Sequence, residues 1–136
     1  MEILSKETLF DMIGRESGVS RLVERFYDLM DTAPEAATIR RLHAKSLKQS
    51  REKLTLFLIG WAGGPQTYVE RHGHPMLRAR HLPFAIAGRE RDEWLWCMDR
   101  ALDAHDMPEA AKAFLKQRFH AIADHMRNRP EPHDAP

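Results

Sequence analysis

Cysteine is almost missing from this chain: Cys97 is the single one. No internal disulfide can brace the fold, and the usage fits a reducing compartment. Its neighbours Trp96 and Met98 make a buried, inert thiol the expectation for Cys97 rather than a nucleophile. A surplus of charge is missing too. Lys and Arg number 21 against 20 Asp and Glu, leaving +1 at pH 7, so no whole-molecule field draws the chain to nucleic acid or to an anionic membrane. No stretch approaches the roughly 20 apolar residues of a membrane span. The start, from Met1 to Glu7, carries acidic side chains and no apolar run of signal-peptide type, so a cytoplasmic location is expected. Also lacking are a G-x-S-x-G elbow, a phosphate-cradling glycine loop and an H-E-x-x-H pair. There is no internal repeat and no linker between domains.

What is present reads as helix. The 136 residues, 43% of them hydrophobic and 30% charged, suit one domain with a real core. Strand-like alternation never lasts, whereas three- and four-residue steps recur. A first helix is expected over 6–13, with Gly14 and Gly18 bracketing a turn. The next, over 19–30, places Leu22, Val23, Phe26, Tyr27 and Met30 on one side. Pro34 opens a short helix reaching Leu42. Ser46-Leu47-Lys48-Gln49 reads as a capping box, followed by an inward face of Leu47, Ser50, Leu54, Phe57, Leu58 and Trp61. Gly63-Gly64-Pro65 must stop that helix. A further helix runs from Glu90 to about His105, with Trp94, Leu95, Met98, Ala101 and Leu102 inward. After Asp106 and Pro108 comes the last, with Leu115, Phe119, Ile122 and Met126 as its stripe. The expectation is one all-α domain over 1–128, built on four principal helices stacked in two pairs around a pocket. Residues 129–136 form a polar, proline-rich tail.

The most informative stretch is Gly73-His74-Pro75-Met76-Leu77-Arg78-Ala79-Arg80-His81-Leu82-Pro83-Phe84. Gly63, Gly64, Pro65, Gly73 and Pro75 forbid a single regular helix through the preceding region. Irregular segments of this length in a compact domain are usually functional. His81 then stands between arginines and the apolar Leu82-Pro83-Phe84, with Trp94 soon after. A lone histidine is most often structural. Here an imidazole, an indole and several guanidinium groups around an apolar space would suit a flat, greasy cofactor that bears carboxylates, and haem is the first candidate. A neutral imidazole nitrogen is a good axial ligand for haem iron, its other nitrogen being oriented by a backbone carbonyl.

Other residues have a plain reading and a functional one. Tyr27 beside Phe26 can be simple core, yet a buried phenol needs a hydrogen-bond partner and can donate to bound dioxygen. Trp94 is core material whose indole N–H only donates. His43 is a loop residue or a third polar group over the pocket. Ser50 and Lys53 are neighbours on one helix; the serine is small enough to leave a ligand path, and Lys53 and Arg80 can pair with haem propionates or stay solvated. His72-Gly73-His74 invites zinc, but no carboxylate or cysteine set completes such a site. His105, His120 and His125 read as incidental.

Taken in order, Arg25-Phe26-Tyr27, Trp61-Ala62-Gly63-Gly64-Pro65, Tyr68, Gly73-His74-Pro75, the segment from Leu77 to Phe84, and Glu90-Arg91-Asp92 with Trp94 resemble the group II truncated haemoglobins over most of the chain. The resemblance implies a truncated globin-like two-over-two helical sandwich enclosing haem b. It implies His81 as the proximal iron ligand and Tyr27 and Trp94 as distal hydrogen-bond donors, with His43 at a variable distal position. It further implies Ser50 near the ligand, and Lys53, Tyr68 and Arg80 as propionate or haem-edge contacts. One departure is plain: the glycine pair usual between the first two helices reads Ser17-Gly18 here.

The first functional expectation is reversible binding of dioxygen, CO and NO at haem iron, with polar distal donors slowing release. The second is a haem-dependent redox enzyme, an NO dioxygenase or peroxidase, with a reductase as partner. The third is a zinc or interaction module built on His72 and His74. A monomer and a homodimer are both compatible with the sequence.

Overall fold

The computed structural model describes residues 7–129. The expected tail from residue 130 onward lies outside the described residues, as does Lys6, where the sequence reading begins the first helix. Eight α-helices follow in order, with no strand among the described residues: α1 Leu9–Ile13, α2 Arg15–Thr32, α3 Ala37–Arg41, α4 Lys48–Trp61, α5 Thr67–His72, α6 Leu77–His81, α7 Gly88–Asp103 and α8 Glu109–His125. A 3₁₀ turn, Pro34–Ala36, precedes α3. The all-α expectation holds. Among the described residues no helix is long and apolar enough to cross a membrane.

The long helices form two layers. Helix α2 packs on α4 and on α7, and α7 packs on α8, so the pairs α2/α4 and α7/α8 meet through the α2–α7 seam. That seam is the apolar stripe read from the sequence: Leu22, Val23, Phe26 and Met30 from α2 meet Met98, Ala101 and Leu102 from α7, with Leu115 from α8, all fully enclosed. Each such large side chain contributes about 1.5–3 kcal/mol by leaving water, which makes the seam the main source of stability.

The junction of α1 and α2 differs from the expected turn. Thr8 and Asp11 cap α1 reciprocally, side chain to backbone, each at 3.2 Å. Gly14, at φ +111°, and Arg15, at φ +60°, turn the chain together, a conformation that costs glycine little. Helix α2 begins at once, so Ser17 and Gly18 lie inside it. Gly18 is there for closeness: a Cβ at this position would stand 2.1 Å from the Ile13 carbonyl oxygen. The same carbonyl accepts from Nε2 of the buried His105 at 2.7 Å. His105 is therefore a tie between the end of α7 and the end of α1, not an incidental residue.

Two other boundaries shift for local reasons. The Ser46–Gln49 capping box does not form. Leu47 is buried and takes the cap position, which moves Ser46 one residue too early; its hydroxyl accepts the Lys48 amide at 3.3 Å instead. Helix α7 starts at Gly88, two residues ahead of expectation, because the Glu90 carboxylate accepts the Ala87 amide at 2.8 Å.

The broken middle contains two short helices, α5 and α6. Gly73 at φ +77° and Met76 at φ +45° separate them in the left-handed region. Elements of five or six residues are too short to show an apolar period, so pattern reading passes over them.

Candidate functional site

His81 is the last residue of α6 and is half-buried. Its Nδ1 lies 2.6 Å from the Leu77 carbonyl oxygen, one helical turn back. A carbonyl can only accept, so Nδ1 carries the hydrogen and Nε2 keeps a lone pair suited to a metal. Among the described residues nothing bonds Nε2. The surroundings are apolar and bare. Met76, Leu82 and Phe84 are 62%, 51% and 43% exposed, and the other exposed large hydrophobic is Phe114 on α8. Apolar exposure concentrated on one short segment calls for something to cover it.

Three polar groups gather around Phe26 and Tyr27. Tyr27, from α2, is buried with its ring edge-on to Phe26 at 4.8 Å and to His43 at 5.9 Å. Burial pushes its phenol pKa well above the ordinary value, against the opposing pull of the Arg51 guanidinium and the Ser50 hydroxyl. The phenol thus stays protonated and able to donate. Trp94, half-buried on α7, packs against Phe26 at 5.0 Å and Phe119 at 6.0 Å. Among the described residues nothing accepts its indole N–H.

His43 follows α3 and repeats the arrangement of His81: its Nδ1 donates to the Ile39 carbonyl at 2.9 Å, leaving Nε2 with the lone pair. Burial lowers its pKa first; the bond to Ile39 opposes this, while charges on Arg40 and His81 lower it further.

Half-buried charges with exposed partners hold this frame. Glu93 Oε1 accepts the Ile39 amide at 2.8 Å, joining α7 to α3. Arg40 pairs with Asp31 at 2.9 Å and donates to the carbonyls of Ala44 and Lys45 at 2.9 and 2.8 Å, which pins the chain after His43. Arg51 of α4 bridges to α2 through Asp28 at 3.0 Å and through Glu24, with its guanidinium carbon 5.8 Å from the Tyr27 ring centre. None of these supports is legible in sequence, because each joins residues that no local pattern relates.

The remaining expected residues lie on α4, α5 and α6. Ser50 is half-buried on α4 next to Tyr27, and Lys53 is exposed on the same helix. Tyr68 is buried on α5, its ring 5.9 Å from Phe57 and 5.0 Å from His72. Arg80 is exposed, and its Nη2 donates to the carbonyls of His72 and His74 at 2.9 and 3.2 Å. Both those histidines are exposed, and among the described residues no group of three or more His, Cys, Asp or Glu can hold a metal. Zinc at this pair has no third protein ligand. Cys97 is buried, its pKa pushed up to about 11, first by burial and then by the Glu93 charge, against Arg100. A cleft of about 590 Å³ between α2 and α4 is another matter: it holds no histidine, and its Arg40 and Arg51 are already ion-paired.

Haem fits these residues. An all-protein metal centre needs several converging ligands, and none converge here. Haem brings four nitrogens of its own and asks the protein for one axial imidazole, an apolar slot and polar groups opposite. His81, the bare Met76–Phe84 segment and the Tyr27, His43, Trp94 trio are the residues that would supply those three things.

Known proteins share this chain's sequence pattern and fold. The family model described as "Bacterial-like globin" matches residues 8–128. The group 2 truncated hemoglobin YjbI of Bacillus subtilis (strain 168) is 38% identical over 125 residues, 92% of each chain. A group II 2-on-2 hemoglobin from Agrobacterium tumefaciens superimposes with a TM-score of 0.89 at 44% identity, covering 93% of this chain and 98% of that one. A cold-adapted truncated hemoglobin from the Antarctic marine bacterium Pseudoalteromonas haloplanktis TAC125 gives 0.89 at 40% identity, covering 90% and 99%.

Proposed function

This chain belongs to the bacterial-like globin family, among the group II truncated haemoglobins, and is a haem-binding globin; from that premise we propose that it holds haem b through His81 and reversibly binds dioxygen, CO and NO with slow release. The carrying observation is the His81 ring, whose Nδ1 is committed to Leu77 while Nε2 keeps its lone pair, on a segment whose Met76, Leu82 and Phe84 side chains are exposed. When bound, haem supplies an iron that takes diatomic ligands.

The chain's own residues then set affinity and release. The backbone carbonyl of Leu77 fixes the tautomer of His81 and its rotation,. Tyr27 and Trp94 present N–H and O–H donors where partial negative charge would develop on a ligand. Hydrogen bonds to charged groups contribute about 1.5–3 kcal/mol each, so each donor slows release by about ten- to a hundredfold. His43 adds a neutral imidazole beside the Tyr27 ring. Lys53, Tyr68 and Arg80 stand at the rim as candidates for the haem edge and its propionates.

Slow release suits sensing, scavenging or redox chemistry better than bulk transport. One observation favours an enzyme as a second reading: His43 is held neutral with Nε2 available, so it can accept a hydrogen bond next to a phenol that can donate one. That pairing would assist peroxidase-like or NO-dioxygenase turnover. Steady-state consumption of peroxide or NO with an electron donor separates the enzyme from the binder.

The buried Cys97 supports a reducing, cytoplasmic setting, and the fold reading is a single domain acting as a monomer or homodimer. The deciding experiment compares His81→Ala with a His72→Ala/His74→Ala pair by Soret spectrum and pyridine haemochromogen. His81→Ala should disrupt the Soret band, and the pair should keep it; the opposite pattern would overturn the assignment of His81.

A further inference from the structure

The helix that carries His81 is held by polar contacts at its two ends rather than by packing. None of the five residues of α6 is buried. On its leading side Arg80 reaches back to the carbonyls of His72 and His74. On its trailing side the contacts converge on Asn128, just past the end of α8, a residue the proposed function does not use.

Asn128 Nδ2 donates to the His81 carbonyl at 3.2 Å and to the Phe84 carbonyl at 2.9 Å. Its Oδ1 accepts the Ile86 amide at 3.0 Å and Arg129 Nη1 at 3.1 Å. A carboxamide has two N–H groups and two strong acceptor directions, and all four are engaged. The main chain joins in: the amides of Asn128 and Arg129 donate to the Ile86 carbonyl at 2.8 and 3.1 Å. The stretch from His81 to Ile86, which leaves α6 and leads into α7, is thereby fastened to the far end of the chain.

We infer that Asn128 is the positioning residue of the proximal histidine. The inference rests on the reading of His81 as the haem ligand. The Leu77 bond fixes the ring relative to α6, and Asn128 fixes the His81 backbone relative to α8, which is anchored in the core through Leu115 and Phe119. Together the two bonds turn a half-buried histidine on an unpacked helix into a rigid ligand. A carboxamide of this length is required. Aspartate would bring negative charge against two carbonyl oxygens and donate nothing; alanine would remove every side-chain bond.

The test uses the haem-loaded protein with Asn128→Ala, Asn128→Asp, Asn128→Ser and, in parallel, His81→Ala. Three quantities are read: haem transfer to excess apomyoglobin, the iron–histidine stretching band in resonance Raman, and amide hydrogen exchange at Ile86. Alanine and aspartate variants should release haem about tenfold faster or more, the loss expected when several hydrogen bonds vanish together. They should also shift or broaden the iron–histidine band and speed exchange at Ile86, leaving α2 amides unchanged. Serine, with one donor, should lie between them and the parent, and it keeps the test alive if a harsher variant fails to fold. Unchanged haem release and an unchanged band in the Asn128 variants would overturn the inference, even if the urea midpoint fell. If His81→Ala keeps the parent band, the reading of His81 itself fails; if it loses the band while the Asn128 variants do not move it, only the positioning role fails.

Discussion

The carboxylate of Glu93 accepts the backbone amide of Ile39 at 2.8 Å, so the residue next to Trp94 governs the turn that presents His43. Ile39 is held at both ends, since its carbonyl takes the His43 Nδ1–H at 2.9 Å. Two of the three polar groups proposed as distal are thus mechanically joined, although they come from α7 and from the end of α3. Glu93→Ala should destabilise the fold by about 1.5–3 kcal/mol, the range for a hydrogen bond to a charged group. It should also broaden the CO stretching band of the ligated protein as His43 loses its fixed place. Glu93→Gln, which keeps an acceptor oxygen, should recover most of both effects. Urea unfolding and infrared spectra check this; an unbroadened band in the alanine variant would dissociate Glu93 from His43.

Tyr27 and Trp94 are expected to act as separate donors. Tyr27→Phe keeps the ring and its contact with Phe26 while removing the hydroxyl, and dioxygen release should quicken by about ten- to a hundredfold. Trp94→Phe should do the same in the same range. Stopped-flow displacement of dioxygen by CO measures it. Equal release rates in the parent and both variants would show that neither group reaches the ligand.

Gly18 and His105 test the junction of α1 with the core. Gly18→Ala sets a methyl 2.1 Å from the Ile13 carbonyl oxygen, a backbone clash that costs about 3 kcal/mol, the upper end of typical overpacking. His105→Ala strands the same carbonyl, at about 1–3 kcal/mol. The two act on one atom, so the double variant should lose less than the sum. Thermal or urea unfolding of the three variants decides it, and strict additivity would contradict the shared contact.

Alkaline conditions should loosen the protein in a defined direction. Cys97 and Tyr27 are weak acids whose folded pKa values are raised above 9.0 and 10.0 by burial. Below those values both are protonated in either state, and nothing is lost. Above them the unfolded chain releases protons that the folded one retains, so stability falls as pH climbs from about 9, the thiol reaching its folded value near 11,. Unfolding midpoints at pH 8 and pH 10.5 should differ, and Cys97→Ser should flatten part of the slope. A thiol reagent at pH 8 should modify Cys97 only after unfolding; rapid native labelling would refute its burial.

The long helices were readable from residue order because their apolar stripes are dictated by helical geometry: Leu22, Val23, Phe26 and Met30 face inward as spaced,. The break after Trp61 was equally plain from Gly63, Gly64 and Pro65. Helices α5 and α6 were not, being too short to carry a period. Leu47 displaced the expected serine cap because core burial outweighs one capping bond, and Gly18 looked like a turn residue because sequence shows that a glycine is present but not whether it turns or packs.

The candidate site divides in the same way. Residue type and local order determined an imidazole at position 81 among arginines and apolar side chains, a phenol on a buried helix face and an indole soon after the proximal segment. Which of them come together was decided by tertiary structure alone, since α2, α3 and α7 must pack before the rings of Phe26, Tyr27, His43 and Trp94 can meet. The same holds for Glu93 on Ile39, His105 on Ile13 and Asn128 on His81. Local sequence sets the conformations each segment favours; only the close packing of distant segments selects the few hydrogen bonds that fix the candidate site.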